Sequence, residues 1–251
     1  MRTNITFPYF YALLILFSLL LNSCGELNRP NSNTDIAISR KDLIDSTFLT
    51  KELQNKLTPD TILSILKTRN LEYIDDNLTV RNTSKRIREA SLGQYPAAVI
   101  LSCLDSRVPV EDVFHSGIGD LFVTRVAGNI VNEDILGSME YGCKVSGAKL
   151  IVVLGHEHCG AISSAIKNVE MGNITALLSK IQPAIASTQN YVGDKSAENT
   201  EYVEAVTHAN VLQTIENIRK QSPILKEMED KGDLKIVGAE YHMSTGKVDF
   251  L

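Results

Sequence analysis

The sequence predicts an α/β fold in which a β-sheet with a parallel core is flanked by helices. Two features of the 251-residue chain predict it. Short apolar runs rich in Val, Ile and Leu recur from residue 97 onward, which is typical of strands that are buried on both faces. Stretches with helical spacing of apolar residues separate these runs, and strands that alternate with helices are usually parallel neighbours in one sheet.

The first clear helix of this domain begins at Thr58-Pro59-Asp60. Thr is a good N-cap, Pro suits the first helical position, and an acid in the first turn stabilises the helix dipole. Apolar residues then follow at helical spacing as far as Ile74, and residues 84–92 predict a second helix. Residues 41–57 show only a weak amphipathic pattern.

Strands and helices alternate through the rest of the chain. The predicted strands are 97–102, 121–126, 150–154, 234–241 and 248–251, and the predicted helices are 110–116, 132–146, 161–190 and 201–221. A turn at Ser244-Thr245-Gly246 separates the last two strands. Since parallel strands end at one edge of a sheet, side chains that follow different strands can meet there.

Three metal-binding side chains follow two of these strands. Cys103 comes directly after the first strand, and His156 and Cys159 come just after the third. Two thiols and an imidazole suit zinc, and three protein ligands leave one position open, as in catalytic zinc sites. His156 and Cys159 are three residues apart, so we expect them on the first turn of a helix.

A charged pair, Asp105 and Arg107, lies beside the first thiol. An arginine fork can hold a carboxylate through two hydrogen bonds and keep it ionised. Beside an open metal position such a carboxylate can accept a proton, although the pair could also be purely structural. The remaining thiol of the domain, Cys143, lies in an apolar helical pattern and is predicted to be a core residue.

These residues carry a resemblance to a known family. Cys103 opens the run Cys-Leu-Asp-Ser-Arg-Val and Gly155 opens Gly-His-Glu-His-Cys-Gly. Both runs resemble the β-class carbonic anhydrases, over about residues 58–251. The resemblance implies that fold, a zinc lyase that reversibly hydrates carbon dioxide to bicarbonate and a proton, and at least a homodimer. It also implies that Cys103, His156 and Cys159 are zinc ligands and that Asp105 and Arg107 are the catalytic dyad.

The resemblance extends to the substrate pocket. It implies that Gln94 orients the substrate, that Phe122, Ala127 and Tyr141 line the pocket, and that the Gly160 N–H contacts the bound anion. Gln94 could instead cap a turn, and Phe122 and Tyr141 could be ordinary core residues. We expect His158 to be a surface residue or to contact the zinc ligands without binding the metal, rather than to shuttle protons.

Two further expectations concern regulation. Some family members have an inhibitory bicarbonate site around a Trp three residues before the first Cys, but here that position is Ile100 and the chain has no Trp. The resemblance therefore implies the uninhibited, Gln-bearing kind. In relatives the dyad carboxylate can close onto zinc, and closure by Asp105 would be favoured at low pH.

Two other functions remain possible from the sequence. Relatives that hydrolyse carbon disulfide or carbonyl sulfide share the three ligands and the dyad, although Gln94 favours carbon dioxide. A protein that only stores zinc would need neither the dyad nor Gln94. The net charge of −5 and the lack of a basic run argue against nucleic acid as a partner.

The N-terminal segment predicts export. An apolar stretch at residues 7–21 is typical of a signal peptide, and Leu21-Asn22-Ser23-Cys24 resembles the lipobox of bacterial lipoproteins. We therefore expect a signal peptide at 1–23, a lipidated Cys24 with a tether over 24–57, and the enzyme domain at 58–251. This predicts a membrane-anchored protein of the periplasm or cell envelope. An uncleaved anchor is the alternative.

Overall fold

A computed structural model describes residues 49–76 and 83–251, and a five-stranded sheet lies at its centre. The strands are β1 (Ala98–Ser102), β2 (Leu121–Arg125), β3 (Leu150–His156), β4 (Lys235–Tyr241) and β5 (Val248–Phe250). Their order is β2-β1-β3-β4-β5. The first four run parallel, and β5 pairs with β4 in the antiparallel sense. The predicted α/β class with a parallel core is confirmed.

Helices connect the strands and cover the sheet. They are α1 (Lys51–Lys56), α2 (Pro59–Ile74), α3 (Thr83–Ala90), α4 (Val110–Val113), α5 (Glu133–Glu140), α6 (Gly160–Ile166), α7 (Gly172–Leu178), α8 (Gln182–Ser187), α9 (Thr200–Gln221) and α10 (Pro223–Asp230). Thr58 caps α2, as predicted, because its side chain accepts a hydrogen bond from the Thr61 N–H.

Each face of the sheet has its own core. Side chains of a strand point alternately to the two faces, so Val99 and Leu101 of β1 pack with α5, α9 and α10, whereas Ala98 and Ile100 pack with α2 and α4. A third apolar cluster contains Cys103, Cys159 and residues of α6, α7 and α9. This third cluster lies beyond the carboxyl ends of the strands and supports the candidate site.

Helix α9 packs tightly against the central strand of the sheet. A Cβ atom at Gly155 of β3 would approach Val211 Cγ2 of α9 to 2.7 Å. Only glycine allows this approach, since contacts shorter than 3.0 Å force a neighbour to move. The end of β3 is therefore held firmly against the helix layer.

The structure corrects several predicted boundaries. Helix 132–146 divides into α5 and a π-helical turn over Tyr141–Val145, and helix 161–190 divides into α6, α7 and α8. Helix α10 was not predicted, although Ser222 caps it and Pro223 occupies its first position. The Ser222-Pro223 pair is a readable start signal that the sequence analysis missed, whereas the π-helical turn depends on packing.

The predicted N-terminal features lie largely outside the described residues. The signal segment 1–23, Cys24 and most of the tether segment 24–57 fall there. The last part of that segment, helix α1, packs on the fold, because its buried Gln54 donates to the Pro96 and Ser146 carbonyls at 2.9 Å each. Across the described ranges, no helix combines the length and apolar character needed to cross a membrane.

Candidate metal centre

The three predicted ligands meet at the carboxyl edge of the sheet. Strands β1 and β3 are neighbours in register, with Ser102 opposite Leu154, so Cys103 follows β1 at the level where β3 continues to His156. One expectation was wrong: His156 is the last residue of β3 and does not lie on a helix. The chain turns through His158, which has a positive φ of 53°, and Cys159 then caps α6.

The geometry of this cluster suits a tetrahedral ion. The ligand atoms of Cys103, His156 and Cys159 all lie within 4.8 Å of one another, and the two Sγ atoms are 4.0 Å apart. Two Zn–S bonds of about 2.3 Å at a tetrahedral angle would separate the sulfurs by about 3.8 Å. Within residues 49–76 and 83–251, no other group of His, Cys, Asp or Glu side chains has such an arrangement.

The imidazole of His156 is oriented for coordination through Nε2. Its Nδ1 lies 2.8 Å from the Glu157 carbonyl oxygen, to which it can donate a hydrogen bond. Its Nε2 is buried and has no hydrogen-bond partner among the described residues. A buried nitrogen without a partner is costly unless a ligand satisfies it, so this side chain fits a metal ligand.

The two thiols form a buried, strongly interacting pair. The Cys159 thiol donates to Cys103, and burial opposes its effect. Contacts from His156 and the Gly128 N–H add to it, so that the pKa of Cys103 falls to about 4. The neighbouring Cys103 thiolate in turn raises the pKa of Cys159. Because thiolates are the form that binds metal, a divalent cation would compensate the charge that this pair concentrates.

The predicted ion pair is formed beside the cluster. Arg107 donates from Nε to Asp105 Oδ1 at 3.0 Å and from Nη2 to Oδ2 at 2.8 Å, and its backbone N–H donates to Oδ1 at 2.9 Å. Arg107 is the main reason that the pKa of Asp105 falls to about 2. The carboxylate pairs with Arg107 and is not a member of the metal-binding cluster, which leaves that cluster with three protein ligands.

Two residues that the sequence analysis missed support this arrangement. Arg125, at the end of β2, donates from Nε to the Cys103 carbonyl at 3.0 Å and from Nη2 to the Asp105 carbonyl at 2.5 Å. Gly128 donates its N–H to Cys103 Sγ at 3.3 Å, with a φ of 71°. The position of Arg125 at the carboxyl end of a strand next to β1 is the signal that could have revealed it.

A known protein family matches this part of the chain. The family model described as carbonic anhydrase matches residues 98–248, which include the cluster and the ion pair. The chain belongs to the carbonic anhydrase family. Its Cys103, His156 and Cys159 form the family's zinc site.

Individual relatives agree with this assignment. The chain is 32% identical to carbonic anhydrase 2 of Mycobacterium tuberculosis over 160 residues. The match covers 62% of this chain and 74% of that protein. A solved β-carbonic anhydrase of Coccomyxa in complex with acetazolamide superposes with a TM-score of 0.61 at 26% identity, covering 75% of this chain and 86% of the other. A structure of tetrameric β-carbonic anhydrases from Sordaria macrospora has the same fold, with a TM-score of 0.61 at 21% identity and coverage of 76% and 97%.

Gln94 does not approach the zinc site within one chain of this carbonic anhydrase. It is exposed in the loop before β1, whereas Cys103 follows the other end of that strand. The four residue steps of β1 alone span roughly 13 Å at about 3.3 Å per residue. Gln94 and the zinc ligands therefore lie at opposite edges of the same sheet.

Phe122 and Tyr141 line a cleft of their own. The cleft has a volume of about 540 Å³, and none of the three zinc ligands lines it. Phe122 is opposite Val99 near the start of β1, and Tyr141 begins the π-helical turn with 55% of its surface exposed. An aromatic side chain so exposed is not an ordinary core residue.

The other predicted positions vary in their distance from the zinc ligands. Ala127 and Gly160 are chain neighbours of Gly128 and Cys159, so both lie beside the cluster. His158 is exposed, and its carbonyl accepts a hydrogen bond from Arg107 Nη2 at 3.3 Å.

Two other predicted positions lie in the core. Ile100 of β1 is completely buried and packs against the helices α2 and α4. Cys143 is buried as predicted, and burial raises its pKa to about 12.

Proposed function

We propose that this carbonic anhydrase is of the Gln-bearing kind that bicarbonate does not inhibit, and that it works outside the cytoplasm on a lipid anchor. Its activity is the zinc-dependent, reversible hydration of carbon dioxide to bicarbonate and a proton. The observation that supports the catalytic role most strongly is the juxtaposition of a three-ligand cluster and an ionised Asp105–Arg107 pair. Three ligands leave a coordination position for a reacting group.

The Asp105–Arg107 dyad would position the attacking water and accept its proton. Zinc, when bound, lowers the pKa of a water molecule toward neutrality and thereby supplies the nucleophile. Asp105 remains ionised because Arg107 donates to both of its oxygens, and its remaining lone pairs can accept a hydrogen bond from the water. Through this hydrogen bond Asp105 would orient the water and accept its proton transiently, before the proton passes to buffer.

The substrate pocket requires a second copy of the chain. Gln94, Phe122 and Tyr141 lie away from the zinc ligands of their own chain, yet the resemblance to the family implies substrate roles for all three. A homodimer in which each subunit presents these residues to its partner's zinc site would account for this separation. Phe122 and Tyr141 then form an apolar slot for carbon dioxide, and the Gln94 amide donates to the developing carboxylate oxygen.

The proposed absence of bicarbonate inhibition rests on Ile100. An anion site near this position would need polar or aromatic side chains, whereas the fully buried Ile100 packs in the apolar core. A bicarbonate titration of the hydration rate at constant ionic strength tests the proposal. We expect ordinary product inhibition, and cooperative inhibition would contradict it.

The proposed location rests on the N-terminal sequence alone. Removal of residues 1–23 and acylation of Cys24 would hold the enzyme on a membrane, because each buried methylene contributes about 0.8 kcal/mol and two chains anchor stably. Fractionation of cells that express wild type and Cys24→Ser tests it. We expect only the wild type to carry lipid and remain with membranes. A soluble wild type would contradict the lipid anchor, and an unprocessed N-terminus in both proteins would indicate an uncleaved anchor.

One experiment separates the enzymatic alternatives. Purified protein lacking residues 1–48 is assayed for zinc content and for stopped-flow hydration of carbon dioxide, before and after treatment with a chelator. Hydrolysis of carbon disulfide and carbonyl sulfide is measured in parallel. We expect one zinc per chain and a fast hydration that chelation abolishes. A zinc-loaded protein without hydration would support storage, and faster turnover of the sulfur compounds would assign it to that alternative.

A further inference from the structure

A series of hydrogen bonds connects the zinc ligand His156 to the turn between β4 and β5. The ring Nδ1 of His156 lies 2.8 Å from the Glu157 carbonyl oxygen. The Glu157 N–H donates to the Tyr241 carbonyl at 3.1 Å. The Glu157 carboxylate accepts from the Met243 N–H at 2.9 Å through Oε2 and lies 2.7 Å from His242 Nδ1 through Oε1. Residue 157 is therefore held through both its backbone and its side chain.

The acceptor for Nδ1 determines which nitrogen of His156 can bind metal. Only an imidazole that is protonated at Nδ1 keeps its Nε2 lone pair available for an ion. A backbone carbonyl cannot act as a donor, so a carbonyl at this place selects the required tautomer and fixes the ring plane. The orientation of the Glu157 peptide thus controls the coordination geometry of His156.

His242 is itself held in place from its other side. Its Nε2 lies 2.9 Å from Asp249 Oδ2, and its backbone N–H donates to the Lys247 carbonyl at 2.8 Å. Both contacts belong to the antiparallel pair of β4 and β5 and to its turn. The imidazole therefore connects a rigid hairpin to the carboxylate of Glu157.

We propose that Glu157 and His242 are positioning residues that hold the zinc ligand His156 in its metal-binding orientation. The inference rests on the zinc site of the proposed function and extends it to residues on a different strand pair. Neither residue touches the metal. The hairpin formed by β4 and β5 is then a structural support of the zinc site.

Two substitutions at residue 242 separate the two sides of the imidazole. The side-chain amide nitrogen of Asn occupies the place of Nδ1, so His242→Asn preserves a donor toward Glu157 and loses the contact with Asp249. The amide nitrogen of Gln occupies the place of Nε2, so His242→Gln preserves the contact with Asp249 and loses the donor toward Glu157. The two variants are neutral and differ mainly in which partner they keep.

The primary measurement is the zinc dissociation constant of the protein that comprises residues 24–251, obtained by competition with a chromophoric chelator. Loss of an outer hydrogen-bond partner typically weakens metal binding by 10- to 100-fold, and an indirect partner belongs at the lower end. We expect His242→Gln to raise the dissociation constant about 10-fold and His242→Asn to raise it less than about 3-fold. The visible absorption of the cobalt-substituted protein should change in His242→Gln alone, because those bands report ligand geometry.

His208 provides a matched control. Its Nδ1 lies 2.8 Å from Glu240 Oε1, so it forms a similar pair with a carboxylate of β4, and within residues 49–76 and 83–251 neither side chain makes a hydrogen bond to a zinc ligand. We expect His208→Gln to bind zinc like the wild type. Thermal unfolding of all variants shows whether each one is folded.

The outcomes are distinct. Equal zinc affinity of His242→Asn and His242→Gln, whether at the wild-type level or below it, would overturn the proposal, because the contact with Glu157 would then have no specific effect. Zinc affinity is measured without substrate. A wild-type protein that binds zinc tightly but does not hydrate carbon dioxide would therefore overturn the proposed function and leave this inference standing.

Discussion

The two edges of the sheet differ in how complete they are within one chain. At the carboxyl edge, Cys103, His156 and Cys159 converge, and Asp105 and Arg107 pair beside them. At the amino edge, Gln94 is exposed in a loop, and along the edge strand β2 a cleft lined by Phe122 and Tyr141 contains no zinc ligand. Binding of the metal is therefore a property of one folded chain, whereas recognition of the substrate, as we propose it, is a property of the assembly.

The largest expected effect lies at the carboxyl edge. Cys103→Ala removes one of three zinc ligands, so we expect it to abolish zinc binding and hydration together. Zinc content by mass spectrometry of metals, measured with the hydration rate, checks this. Cys143→Ala is the matched control, since that thiol is buried in the core and its pKa is raised to about 12. Retention of a full zinc equivalent by Cys103→Ala would refute the ligand assignment.

A smaller effect is expected when the ligands are kept and the dyad is changed. Asp105→Asn preserves the shape of the side chain but removes the proton acceptor, which should slow hydration by roughly 10²-fold. Zinc content should remain that of the wild type. Stopped-flow hydration at several pH values provides the measurement, and a nearly normal rate would mean that the ion pair serves only the local structure.

Complementation tests the amino edge directly. In a mixed dimer of Cys103→Ala and Gln94→Ala chains, one site would carry both changes and the other neither, if Gln94 acts on the partner's zinc. Random pairing makes half of the dimers mixed, so about a quarter of the wild-type sites should be intact in a symmetric dimer. Hydration by co-expressed chains, compared with the same two proteins purified separately, measures the recovery. Without recovery, Gln94 would have to act within its own chain or not at all.

The smallest effect concerns stability and pH. Burial lowers the pKa of His242, but its hydrogen bonds to Glu157 and Asp249 outweigh burial and raise the pKa above its usual value of 6.5. A raised pKa in the folded state stabilises the fold fully below the unfolded pKa, and this stabilisation is lost as the pH rises through the folded pKa. His242→Asn should therefore lose more thermal stability relative to wild type at pH 5.5 than at pH 9. An equal loss at both pH values would contradict this prediction.

The carboxyl edge was largely predictable from the sequence, and the amino edge was not. Cys103 and His156 follow buried apolar runs, and the rule that parallel strands end together places them side by side. The turn through His158 was not predictable, because a positive φ at a residue other than glycine depends on the packing around it. Arg125 was missed because its contacts are with backbone carbonyls, which no spacing of side chains reveals. The separation of Gln94 from the zinc ligands follows only from the direction of β1.

The continuation of β3 to His156 has a consequence for how the site exchanges its metal. His156 pairs with Tyr241 of β4, so its backbone moves only if the middle of the sheet opens. Cys159, in contrast, occupies the N-cap position of a helix of seven residues, and the backbone at helix ends opens at a low cost in free energy. The backbone at Cys159 can therefore open locally, whereas the backbone at His156 opens only together with the β3–β4 pair. The rate of zinc exchange should follow hydrogen exchange of the first amides of α6 and be insensitive to exchange in β3.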